Sequence, residues 1–385
     1  MPQSLPSNLV HNLLSSPAPD IPLNPPLDSP ATVAPPLPSL QIGPLTIGFP
    51  VVQAALSGYS DAPMRVISRR HGASYGVCEV MLDQFLVALR DRQKTRHFLE
   101  IDPSEHPVGG QLMGAEPLQF AAGAQRLVQA GFDVIDINFG CPVKKVLGRC
   151  RGGFHLSQPQ VALEIVERTR AVVPPHIPVT VKMRRGLDDT PRSRERFFEI
   201  LDGAFARGVA AITVHARTVE QRYIGPSQWS FLREVKQHVG SKTILGSGDL
   251  FTAEDCLRML RETGVDGVTV ARGSIGNPWI FREARALANG EPCPPPPSVA
   301  EQAACLREHF RLAETLYGSR CAPLMRKFAI KYAARHPCAD QVREEFIRAG
   351  SAPDWERVLE RWYDSPEHLN AAGVVPALPT DLNEA

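Results

Sequence analysis

From about residue 47 onward, short runs rich in Val, Ile and Thr alternate with longer stretches whose apolar residues recur every three or four positions. The first pattern is that of strands buried in a sheet, and the second that of helices with one apolar face. The strand-like runs are FPVVQA (49–54), SYGVCEV (74–80), PVGGQL (107–112), DVIDIN (133–138), PVTVKM (178–183), AAITVHA (210–216), KTILGS (242–247) and DGVTVA (266–271). Helical spacing fills the gaps, as in PLQFAAGAQRLVQAG (117–131) and QVALEIVERTRAVV (160–173). This alternation predicts repeated βα units around a parallel sheet. Eight units over roughly 240 residues match the strand number and length of an α/β (β/α)8 TIM barrel. A doubly wound open sheet, the competing architecture, usually carries a GxGxxG turn after its first strand, and the first βα junction here has none.

The rhythm stops at both ends. Of the 36 prolines in 385 residues, twelve fall within the first 45, in a stretch that is poor in charge and lacks aromatic residues until Phe49. Such a stretch cannot bury enough surface to offset chain entropy, so residues 1–40 are expected to be a disordered Pro-rich tail. The barrel is expected over 41–293. Past the proline run 294–297, residues 298–363 read as helix with no strand pattern, a small helical domain, and 364–385 as a flexible C-terminal tail.

Composition narrows the class further. Apolar residues are 43% and charged residues 22%, ordinary for a globular protein, and the net charge of +1 gives no general argument for a polyanionic partner. Any nucleic-acid surface must then be local. The first basic residue is Arg65, so the start resembles neither a secretory signal nor a transit peptide, and a cytoplasmic location is expected. No apolar run reaches the length of about 18 residues that a spanning helix needs. Eight scattered cysteines without a CxxC pair argue against a structural metal or a disulfide framework.

In this barrel the active site lies at the carboxyl ends of the strands. Polar residues collect there: Gln111 on the third, Asn138 and Cys141 after the fourth, Lys182 on the fifth, His215 and Arg217 on the sixth, Ser247 and Asp249 at the seventh, and Arg272 after the eighth. Singly, each has a plain structural explanation, such as a capping amide, a core histidine or a lysine whose stem lies along apolar surface. Six strand ends with such groups together point to a site. The turns GSGDLFTAEDC and VARGSIGNP open helices with glycines, which offers backbone N–H groups to a phosphate, and Arg272 stands between Ala271 and Gly273.

These segments resemble the tRNA-dihydrouridine synthases, with a start most like the bacterial B-type branch. The resemblance is carried by SGYSDAPMR, VGGQLMG, INFGCPVKKV, VTVKMRRG, ITVHARTVEQRYIG, GSGDLFTAEDC and VTVARGSIGNPWIF, and it covers roughly residues 40–363. It implies an FMN-dependent oxidoreductase that reduces specific uridines of tRNA, with NADPH as reductant. A hydride goes to C6 of the uracil, and Cys141 supplies the proton to C5; a thiol near its reference pKa of about 8.5 is still mostly protonated at neutral pH. The same resemblance puts Ala55, Leu56 and Ser57 against the flavin ring and Gln111 at its pyrimidine edge. Lys182 and His215 fall beside its N1/O2 region and ribityl chain, and Ser247, Gly248, Asp249, Ala271, Arg272 and Gly273 around the phosphate end. Asn138 and Arg217 are candidates for the polar edge of the uracil.

The segment APLMRKFAIKYAARH places Arg326, Lys327, Lys331 and Arg335 within three turns of one helix, and no acid occurs from Thr315 to Ala339. A solvated face is the plain reading, and the resemblance favours tRNA phosphates. No metal and no membrane is expected, and the protein is expected to be a monomer. Three places depart from the family pattern: RGGFHL follows the cysteine where AGSALL is usual, AALSG replaces APMAG, and SGD replaces NGD. His155, inside the first of these, is an alternative proton donor because its reference pKa is about 6.5. Two other readings stay open on sequence: a flavin enzyme for a free pyrimidine, such as a dihydroorotate dehydrogenase, and an RNA-binding relative without catalysis.

Overall fold

The computed structural model describes residues 37–90, 92 and 95–376. Residues 1–36 of the expected Pro-rich tail and the final residues 377–385 lie outside the described residues. Strands β1 (Leu40–Ile42) and β2 (Leu45–Gly48) form an antiparallel hairpin. The barrel strands are β3 (Val51–Gln53), β4 (Gly76–Val77), β5 (Met81–Leu82), β6 (Val108–Met113), β7 (Val134–Phe139), β8 (Val179–Arg184), β9 (Ala211–His215), β10 (Thr243–Ser247) and β11 (Gly267–Val270). All pairings among them are parallel, in the order β4-β3-β11-β10-β9-β8-β7-β6-β5, and a further β4–β6 pairing closes the ring. The second of the eight predicted runs is thus divided, β4 within it and β5 just past its end.

Helices α1 (Ala62–Arg70), α2 (Asp83–Ala88), α3 (Pro117–Ala130), α4 (Lys144–Leu147), α5 (Pro159–Val172), α6 (Pro191–Ala206), α7 (Trp229–Val239), α8 (Ala253–Thr263) and α9 (Ile280–Ala288) follow the barrel strands. Four more close the described chain: α10 (Val299–Tyr317), α11 (Cys321–Ala333), α12 (Ala339–Arg348) and α13 (Ala352–Trp362). Local chemistry sets their starts. Thr252 and Asp255 form a capping box on α8, as Ser298 and Glu301 do on α10 and Ser351 and Asp354 on α13, each satisfying N–H groups that the first turn leaves unpaired.

Strand side chains alternate between the two faces of the barrel wall. Outward, Ile135, Ile137, Val179, Val181, Ile212, Val214 and Ile244 are fully buried under the helices. Inward, the residues change character along the barrel axis. At the amino-terminal end Val134, Ala211 and Leu245 join Leu40, Ile42 and Ile47 of the hairpin in an apolar layer, so the hairpin plugs that end. Higher up come Gln111, Asp136 and Thr180, in register with one another, and then Asn138 beside Lys182 and Arg184 beside His215 and Ser247.

The helices from α10 onward share a core with the barrel. Met64 and Ile67 of α1, with Ile275 and Trp279 after β11, pack against Leu306, Phe328 and Tyr332. Part of the expected C-terminal tail, as far as Pro376, is described: Val299 N–H donates to Ala371 O at 3.1 Å and Val374 N–H to Arg335 O at 2.9 Å, so this strip is hydrogen-bonded to the start of α10 and to the turn after α11. Its prolines and small residues give no periodic signal, because irregular backbone is held here by single hydrogen bonds. Among the described residues no helix is long and apolar enough to cross a membrane.

Candidate active site

The carboxyl ends of the strands open into a cavity of about 290 Å³. Ala55, Leu56 and Ser57 form one side, Gln111, Lys182 and His215 stand on the strand ends, and Ser247, Gly248, Asp249, Ala271, Arg272 and Gly273 come from the turns after β10 and β11. Cys141 and Asn138 face the same space. The closed ring explains the convergence, since every strand contributes its last inward residue to one mouth.

A chain of buried hydrogen bonds fixes the cysteine loop. Thr180 Oγ1 donates to Asp136 Oδ1 at 2.5 Å, and Gln111 Nε2 donates to Asp136 Oδ2 at 2.6 Å. Asn138 Nδ2 donates to Gln111 Oε1 at 2.8 Å, while its Oδ1 accepts from the amides of Gly140 and Cys141 at 2.9 and 3.1 Å. Asn138 thus orients the backbone that carries the thiol. Its carbonyl is committed inside the protein, a different task from the base contact expected of it.

The cavity is electropositive. Burial, together with the Arg184 charge, pushes the Lys182 ammonium down to about 8, with Asp136 opposing the shift. Burial, then the surrounding cations, holds His215 well below its ordinary value, so it is a neutral imidazole and adds no charge of its own. Burial raises the Cys141 thiol, against the Val143 amide and the charges of Arg184 and Lys182. The thiol is therefore a protonated group at neutral pH. Arg272 lies over the ring of Tyr223 at 4.4 Å and that of Phe251 at 5.3 Å.

Gly273 lets the turn after β11 close on the turn after β10, and Gly248 lets the turn after β10 close on the loop after β9. A Cβ on Gly273 would meet Leu250 O at 2.1 Å, and Gly248, at φ +119°, would drive one into Ser227 Oγ at 2.3 Å. That hydroxyl is buried with no partner among the described residues.

Several expectations are corrected. Arg217 is fully buried and does not line the cavity: its Nη2 donates to both oxygens of Asp249 at 2.7 and 2.8 Å, and its Nε donates to Gly225 O at 3.0 Å. It braces Asp249, which sits at φ +58°. His155 is also buried, its Nε2 2.9 Å from Gly114 O and its ring against Phe139, away from the cavity. Burial lowers its pKa, so it is no proton donor to a ligand there.

The basic helix face does not form as expected either. Lys331 alone of the four cations is exposed; Arg326 Nη2 donates to Ala349 O at 3.2 Å, and Arg335 is 8% exposed. Lys327 Nζ donates to Gly58 O and lies over the Tyr59 ring at 5.1 Å, so it faces the cavity wall. The cause is packing: the α11 backbone runs close against the loop after β11, where a Cβ on Gly276 would meet the Lys331 backbone at 2.6 Å, and Lys327 reaches the loop after β3.

Sequence reasoning missed Arg184 and Tyr223. Arg184 Nε donates to Gly140 O at 3.0 Å and its Nη1 to Thr218 O and Arg222 O at 2.8 and 2.7 Å, tying the loops after β7 and β9 together. It lies over the Tyr223 ring at 5.4 Å. The signal was present in VTVKMR, because period-two alternation places Lys182 and Arg184 on the same inward face.

A family model described as dihydrouridine synthase (Dus) matches residues 52–361. This chain belongs to the dihydrouridine synthase family. Among its relatives, a probable tRNA-dihydrouridine synthase of Mycobacterium tuberculosis (strain H37Rv) is 34% identical over 336 residues, 85% of each chain. A tRNA-dihydrouridine synthase B of Pseudomonas aeruginosa is 33% identical over 337 residues, 87% of this chain and 98% of that one. Among solved structures, histamine dehydrogenase from Rhizobium sp. 4-9 superposes with a TM-score of 0.51 at 15% identity. The match covers 73% of this chain and about half, 51%, of that one, and the likeness is one of fold. The family match runs beyond the barrel as far as α13, so the helical segment is part of the family pattern.

Proposed function

We propose that this member of the dihydrouridine synthase family binds FMN in the cavity and reduces specific uridines of tRNA to 5,6-dihydrouridine, with NADPH as the reductant. The observation that carries the reading is the single cavity whose walls hold Cys141 together with Gln111, Lys182, Arg272 and the two glycine turns. The names of the curated relatives supply the substrate class.

The residues fit the cofactor. Arg272, with the turns at Gly248 and Gly273, offers a cation and close backbone approach to a phosphate, and the unpartnered Ser227 hydroxyl lies beside Gly248. Lys182, which lines the cavity, would supply positive charge to a reduced, anionic ring bound there. When bound, FMN reduced by NADPH supplies the hydride that reaches C6 of the uracil.

The chain does the rest. Cys141, held protonated by burial, gives its proton to C5, so hydride and proton together saturate the C5–C6 double bond. The thiolate left behind is stabilised by Arg184 and Lys182 until solvent returns a proton. Tyr223, which lines the cavity, would offer an aromatic face to a flat pyrimidine in place of the contact expected of Arg217, and Arg184 braces the loops on which it stands. A uracil leaves its stack to reach this depth, so contacts to the surrounding RNA must compensate.

The test is Cys141→Ala. Flavin content and reduction by NADPH should match the wild type, while dihydrouridine formation, mapped on tRNA from a deletion host carrying the variant, should fall about 10²- to 10⁴-fold. Uridine reduction at the wild-type rate would remove Cys141 from the acid role.

A further inference from the structure

Because three of the four cations on α11 are turned inward or partly covered, the RNA needs a basic surface elsewhere at the mouth. We infer that the rim built by the loops after β7 and β9 is an RNA-backbone contact surface, with Lys144, Lys145, Arg149 and Arg222 as its phosphate-binding groups. This rests on the reading of the cavity as a site for tRNA.

All four side chains belong to exposed residues, and none makes an ion pair among the described residues. Some surface arginines elsewhere are matched with acids, as Arg307 with Glu356 and Asp364 and Arg194 with Glu234, whereas Arg192, Arg261, Arg311 and Arg343 are exposed without such a pair among the described residues, so it is their grouping at the mouth that sets these four apart. Glu220 is the sole acid in 141–153 and 217–226 taken together. Two cations stand next to large apolar side chains that are also open to solvent, Lys144 beside Val143 at 53% exposure and Arg222 two residues before Ile224 at 65%. Unpaired cations interleaved with apolar groups suit a polyanion that also presents sugars and bases.

Position adds a second argument. Val143 and Tyr223 line the cavity itself, so the four cations flank the opening through which a base enters. The Arg184 guanidinium ties Gly140 to Arg222, which makes the two loops one braced lip. In the strand ring β7 and β8 lie across from β3 and β11, whose loops meet α11. The phosphates on either side of an extruded nucleotide then meet the helical segment on one side and this lip on the other.

The experiment measures binding of a tRNA transcript across a salt series for wild type and for the combined K144Q, K145Q, R149Q and R222Q protein, with flavin absorbance as the folding check. The slope of log affinity against log salt should shrink by about one for each side chain removed, about three to four in all, with affinity near 0.1 M salt falling more than tenfold. Arg261→Gln, an exposed cation on α8, should leave the slope as it is. If the wild type does not retain tRNA, the functional reading falls and this surface with it. If the wild type binds and the fourfold variant shows the same slope, the rim assignment alone is overturned, as it would be if the lip instead served an acidic protein.

Discussion

Lys182 and Cys141 share one cavity, and both act in the proton-bearing form, one charged and the other neutral. The thiol serves only while protonated and the ammonium only while charged. Lys182 stands near 8 because its charge is poorly solvated beside Arg184, with Asp136 and Cys141 as the opposing groups. An anionic ligand on Lys182 restores the charged form, so above about pH 8 binding takes up one proton. The apparent flavin affinity should then fall by up to about tenfold per pH unit between roughly pH 8 and 9 and be flat below about 7. A fluorescence titration checks this, and Lys182→Met should both weaken binding at neutral pH and flatten the profile. A wild-type affinity constant across that range would show that Lys182 carries no charge toward the ligand. At this scale the sequence was informative about which residues reach the mouth and silent about their partners. HARTVEQRY puts Arg217 at a strand end, yet Asp249, thirty-two positions later, captures its guanidinium, and no local pattern encodes that pairing.

Among the elements, the loop after β3 is where barrel and helices cooperate. Gly58 is held at both ends, its amide donating to Glu79 Oε2 at 2.7 Å and its carbonyl accepting from Lys327 of α11. Three residues on, Asp61 accepts from Tyr317 Oη at 2.8 Å at the end of α10. Leu56, Ser57 and Tyr59 on this loop form cavity wall, so α10 and α11 set the wall's position. Lys327→Met should loosen flavin by about tenfold, as expected for losing a charged hydrogen bond worth about 1.5 kcal/mol, with the salt slope of RNA binding unchanged. Lys327→Arg should recover most of the loss. A steeper or shallower salt slope with normal flavin affinity would return Lys327 to the RNA-contact role. The eight strand-like runs and the helical texture of 298–363 were legible because burial imposes periods of two and near four on the chain. Which way α11 faces was not, since cations at i, i+4 and i+8 mark one edge without saying what covers it.

At the scale of the molecule, the barrel was readable from repetition, whereas the β1–β2 hairpin was not. Its signal is the short alternation of Leu40, Ile42, Leu45 and Ile47 around Gly43–Pro44, too brief to separate from a Pro-rich approach. Yet Leu40 and Ile42 are each 1% exposed beneath Val134 and Leu245, and the far end of the barrel is filled. The chamber is therefore blind-ended. Under the proposed reaction the nicotinamide and the nucleotide queue at one doorway, each admitted after the other has left. Steady-state kinetics should follow a double-displacement pattern, with parallel reciprocal plots when NADPH is varied at several fixed tRNA concentrations; lines that converge would mean both visitors fit inside together.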